Sequence, residues 1–75
     1  MGRLSGFGGR EVQRVAESQG WRFNRSSGDH FVYRKVGNRF NLSIPGHRSL
    51  DEGTLRQILK TMGLTVDEFL KLASK

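Results

Sequence analysis

His30 is the residue of this chain best suited to chemistry. It follows Gly28 and Asp29 and opens the run His30, Phe31, Val32, Tyr33, Arg34. An imidazole is the side chain that most readily trades a proton in water at physiological pH, and a strand start beside a glycine turn holds such a group in the open. Arg22, Arg25, Arg34 and Lys35 flank it in sequence, so a proton carrier is set among cations that attract an anion such as a phosphodiester. The other histidine, His47, comes shortly after Pro45.

RNA brings its own nucleophile, the ribose 2′-hydroxyl. A protein that cleaves it has to supply a proton acceptor, a proton donor and positive charge for the transition state. His30 fills one proton role; His47, Tyr33, a lysine or water is left for the other. Arg25, Arg34, Lys35 and Arg48 are candidates for phosphate contact, while Lys60 and Arg56 lie on the polar side of a helix and touch either RNA or only solvent. With no carboxylate cluster in the sequence, the expected reaction is a transesterification without metal or other cofactor, leaving a 2′,3′-cyclic phosphate. Plainer roles exist for the same residues: a surface or capping histidine at His30, and at His47 a hydrogen bond that ties the loop to the following helix.

The elements that must position these groups are legible from periodicity. Val12, Val15 and Ala16 fall at i, i+3 and i+4, one apolar stripe on a short helix over Arg10–Gln19 that Gly20 stops. Trp21 and Phe23 alternate with Arg22 and Asn24 as a half-buried strand, Ser26 to Asp29 make a turn, and His30 to Lys35 form a second strand. Phe40, Leu42 and Ile44 alternate with Arg39, Asn41 and Ser43 in a third. Within the second strand, Phe31 and Tyr33 share the face that joins the core, leaving His30 and Arg34 outward; stacking of the two aromatics on RNA bases is the alternative. Leu55, Ile58, Leu59 and Met62 mark a second helix, entered at Asp51 or at Ser49 with Glu52, and ended by Gly63. Thr65 with Glu68 spells a capping box, and Leu64 with Phe69 the matching hydrophobic staple, for a short last helix. The sheet must bury Trp21, Phe23, Phe40, Leu42 and Ile44 under the helices, which gives a two-layer α+β sandwich. Its order, α-β-β-β-α with a short extra C-terminal helix, is that of double-stranded-RNA-binding domains.

Composition narrows the function classes. The 75 residues make one domain, 1–75, whose first eight residues, with Gly6 and Gly8, read as loose. There is no cysteine, which removes disulfides and thiolate metal sites, and two histidines make a structural zinc site improbable. No apolar run is long enough to cross a bilayer, so a soluble, cytoplasmic protein is expected. The net charge is +6, and the stretch Trp21–Arg48 holds six basic residues against the single acid Asp29. A polyanion is the natural partner of such a surface, and an acidic protein the competing one.

The combination of Gly28-Asp29-His30 before a strand, Ile44-Pro45-Gly46-His47 after the next, and Gly53-Thr54-Leu55 opening a helix resembles the HicA family of bacterial mRNA interferase toxins. The likeness in order and spacing runs from about Phe7 to Phe69. It implies that His30 is the catalytic histidine, that mRNA is the substrate, and that a HicB-type antitoxin covers the site and itself binds DNA, the toxin alone being expected not to. Where that family usually carries serine before the histidine, this chain has Asp29. A carboxylate there holds the imidazolium, points away into the turn, or repels the phosphate. The alternative reading is a non-catalytic RNA-binding module of the same fold, and a third is an interaction domain that docks an acidic protein.

Overall fold

In the computed structural model, which describes residues 4–74, the chain forms α1 (Gly9–Ser18), β1 (Arg22–Ser27), β2 (His30–Arg34), β3 (Leu42–Pro45), α2 (Glu52–Met62) and α3 (Val66–Ala73). The strands make one antiparallel sheet in the order β1-β2-β3, so the strand that starts with His30 is central. All three helices pack on one face. Val12, Val15 and Ala16 of α1, Leu55, Ile58, Leu59 and Met62 of α2, and Phe69 of α3 close over Tyr33, Leu42 and Ile44 in a single apolar core. This is the α+β fold with the order of double-stranded-RNA-binding domains and one added C-terminal helix.

The helix boundaries follow the capping chemistry. Asp51 caps α2, accepting the Thr54 N–H at 3.1 Å and the Thr54 hydroxyl at 2.8 Å. Thr65 and Glu68 form the expected reciprocal box at α3, with bonds of 3.1 and 2.8 Å. Glu11 does the corresponding work at α1, where its carboxylate accepts the Gly8 N–H at 2.9 Å. That bond and the nearby Arg14 and Arg10 guanidiniums keep the Glu11 carboxyl below the usual carboxylate range.

Two of the five expected core residues of the sheet are not buried. Phe23 is 54% and Phe40 64% exposed, whereas Trp21, Leu42 and Ile44 are sealed in. Phe23 stands opposite Tyr33 on the helix-facing side, but on an edge strand it stays more than half exposed and packs edge-on against Tyr33. Phe40 precedes Leu42, the last β3 residue to pair, and its N–H turns back to the Asn38 side chain at 2.9 Å. Ser26 and Ser27, expected in the turn, belong to β1. The expectation of a loose N-terminus holds for none of residues 4, 7 and 8, and its first three residues lie outside the described ones: Leu4 is buried in the core, Phe7 packs on Phe69 at 5.0 Å between ring centroids, and Gly8 is buried.

Candidate functional site

A two-residue turn, Gly28-Asp29, joins β1 to β2 and sets the position of His30. Gly28 has φ +59° while Asp29 keeps a negative φ, the pattern of a type II′ hairpin turn, whose first position glycine occupies without steric cost. His30 therefore begins β2 paired on both sides, with Ser27 on β1 and Pro45 on β3, and its side chain is exposed.

The face of the sheet turned away from the helices is basic. Pairing puts Arg22 opposite Arg34, and Arg25 and Ser43 on either side of Val32, all on the same face as His30. Arg25 reaches this face only because of a β-bulge. From Phe23 to Arg25 the edge strand advances two residues while β2 advances one, from Tyr33 to Val32, leaving Asn24 as the extra residue. Without it Arg25 would share the helix-facing side with Phe23; bulges commonly re-aim a side chain in this way. The simple alternation read from the sequence gives no sign of the bulge.

The remaining candidates divide. Tyr33 is buried, and its hydroxyl donates to Glu17 at 2.9 Å and to Gln13 at 3.3 Å. Burial, and then the bond to the Glu17 carboxylate, pushes its pKa up to about 12, so it belongs to the core and not to the site. Lys35 turns away from the basic face and sets its ammonium 6.0 Å from the Trp21 ring, too loose for a strong cation–π contact but on the other side from Arg34. Lys60 is in the last turn of α2, on the helix layer, where it favours the helix end rather than the site.

His47 and Arg48 do come to the His30 end of the sheet, on the loop between β3 and α2. Three main-chain bonds fix that loop: Gly46 N–H to the Asp29 carbonyl at 2.6 Å, Gly9 N–H to the His47 carbonyl at 2.8 Å, and Leu50 N–H to the Phe7 carbonyl at 2.8 Å. The first ties the loop to the hairpin turn that carries His30. The Asp29 carboxylate then faces His47, its Oδ2 3.9 Å from Nε2, an ion pair whenever the ring is protonated. Of the orientations open to Asp29 from sequence, holding the His30 imidazolium or pointing away from it, the structure has the carboxylate facing the second histidine, His47. Arg10, beside the loop, also joins this end of the molecule, while Arg22, paired with Arg34, lies at the far end of the open face; Arg22 was legible as a flanking charge, whereas nothing in the local pattern of α1 singles out Arg10. Among the described residues no three histidine, aspartate or glutamate side chains gather where they would hold a metal ion, and no helix is long and apolar enough to cross a membrane.

A family model described as the HicA toxin of bacterial toxin-antitoxin systems matches residues 9–64. That stretch holds the whole sheet, both histidines, α1 and α2. Comparison with curated proteins gives no match.

Proposed function

From the premise that the chain belongs to the HicA family of bacterial toxin-antitoxin toxins, we propose that it is an endoribonuclease that cleaves mRNA with His30 as a catalytic residue. In this reading the basic sheet face holds the RNA backbone and His30 takes the proton from the ribose 2′-hydroxyl. The 2′-oxygen attacks phosphorus, the bond to the 5′-oxygen breaks, and a second group protonates the leaving oxygen, leaving a 2′,3′-cyclic phosphate. His47 is the best-placed second proton carrier, because Tyr33 is committed to Glu17 and Lys35 faces Trp21. Loss of mRNA stops translation and growth. A HicB-type antitoxin neutralises the protein in the cytoplasm by covering the same face.

The observation that carries this reading is the exposed His30 at one end of an open face that also carries Arg25, opposite Val32, and the Arg22–Arg34 pair at its far end. Arg22 and Arg34 are cross-strand neighbours, and like charges directly opposite each other are unfavourable until an anion lies between them. A phosphate backbone supplies that anion.

The test is His30→Ala. The expected result is loss of RNA cleavage by about a hundredfold or more, with RNA binding and the thermal melt retained. If the unmodified protein and the variant bind RNA equally and neither cuts it, the chain is a binding module and the nuclease reading is wrong.

A further inference from the structure

Beyond the open sheet face, a cleft of about 470 Å³ lies around the end of the sheet, where the start of α1 faces the β3–α2 loop. Arg10, Gln13, Phe31, Gly46, His47 and Arg48 line it. We propose that this cleft is a nucleotide subsite, which takes the residue of an RNA chain next to the phosphodiester held at His30. Its place beside a scissile bond rests on the ribonuclease reading.

The chemistry of the lining selects such a ligand. Neither Arg10 nor Arg48 has an ion-pair partner among the described residues, so two guanidiniums are available to a phosphate. One acid, Glu11, also lines the cleft; its carboxylate is ionised and held by the Gly8 N–H, and the nearby Arg10 and Arg14 guanidiniums offset its charge. Phe31 offers a half-buried ring for a base, as single-strand readers use aromatic rings. The main chain approaches that ring closely because residue 46 is glycine: a Cβ there would sit 2.6 Å from Phe31 Cε2. The volume lies in the range of pockets that enclose one small ligand.

Position links the cleft to the reaction. Phe31 directly follows His30 and points to the opposite side of the sheet, while His30 pairs with Pro45, the residue before Gly46. A strand of RNA with one phosphate at His30 on the open face thus reaches the cleft by bending over the short end of the sheet. His47 stands at that crossing, anchored through its carbonyl to Gly9 and facing Asp29. The sheet face grips the backbone without regard to base; the cleft is where one base is enclosed and selected.

The experiment uses nitrogen-labelled His30→Ala protein titrated in turn with the four ribonucleoside 3′-monophosphates and with a trinucleotide carrying 2′-deoxyribose at its middle position. Expected are saturable amide shifts at Gly8, Arg10, Gly46, His47 and Arg48, unequal among the four bases. Arg10→Ala is expected to weaken this binding about tenfold and Arg14→Ala, one turn further along α1, to leave it unchanged. Shifts confined to Arg22, Arg25 and Arg34 overturn the subsite and leave the ribonuclease reading intact. Shifts at the cleft in a protein whose unmodified form cuts no RNA uphold the subsite and overturn that reading.

Discussion

Arg22 and Arg34 stand directly opposite each other on β1 and β2, two guanidiniums on one face of the sheet with no acidic side chain paired to either among the described residues. A protein optimised for stability alone would not place them so. Arg22→Thr is expected to raise stability by roughly 0.2–1 kcal/mol, measured by denaturant unfolding, while weakening RNA binding and lowering its salt slope by about 1. A variant that is neither more stable nor weaker in binding removes the assignment of this face to phosphate.

Asp29 and His47 form the second testable pair. If His47 protonates the leaving oxygen, His47→Ala lowers the rate of cleavage by about a hundredfold without changing RNA affinity to the same degree. Asp29→Asn is expected to be milder, and the double variant Asp29→Asn with His47→Ala no worse than His47→Ala alone, because the carboxylate acts through the ring. Additive losses measured in single-turnover assays would separate the two residues.

Tyr33 supplies a pH signature unconnected with catalysis. Its folded-state pKa of about 12 lies above the ordinary value of 10.0, so the neutral phenol is favoured by folding. The stability this contributes is fully present below pH 10 and is lost as pH rises through about 12. Tyr33→Phe is expected to flatten the fall in unfolding free energy over that window. It should also cost about 1 kcal/mol near neutrality through the lost hydroxyl bonds, with cleavage preserved.

At the acid end the sign reverses. Glu11 and Asp51 both have depressed pKa values, Glu11 chiefly from the Gly8 N–H and Asp51 from the Thr54 hydroxyl and N–H. Their stabilising effect is present above the unfolded carboxylate range and disappears as pH falls through the depressed values. Thermal melts followed downward from neutrality should decline in that range, and Glu11→Gln should decline less. Equal acid sensitivity in both proteins would rule out the cap as its source.

Gly46→Ala probes the join between loop and hairpin. The added methyl meets Phe31 Cε2 at 2.6 Å and the Asp29 carbonyl at 3.1 Å, so the loop must move away from the turn. A stability loss of about 1–3 kcal/mol is expected, with cleavage falling further than the unfolded fraction explains. Activity that simply tracks the folded fraction would show that the loop's position does not matter to the reaction.

Much of the architecture was legible because it rests on local chemistry. Thr65, Glu68, Asp51 and the apolar stripe from Leu55 to Met62 declare helix ends and faces within a few residues, and the outward placement of His30 and Arg34 with Tyr33 inward follows from strand alternation. What sequence reading missed depends on contacts between distant segments. Phe23 and Phe40 have the right residue type for the core, yet the helix layer does not extend over them. The bulge at Asn24 is invisible to a period of two. Tyr33 passed for a proton carrier until Glu17 and Gln13, on another element, claimed its hydroxyl. The cleft depends on α1 bringing Arg10 to the same opening as Arg48 on a distant loop, which no local spacing records.

The loop bearing His47 is held by Gly9 and Phe7, residues almost forty positions earlier, and the close approach of Gly8 to the Arg48 carbonyl leaves no room for a side chain. The end of the sheet that carries His30 and His47 is thus fastened by contacts between distant parts of the chain. During synthesis residues 7–9 emerge well before His47 and Leu50, so the end of the sheet that carries both histidines cannot close until the chain has been extended past Leu50.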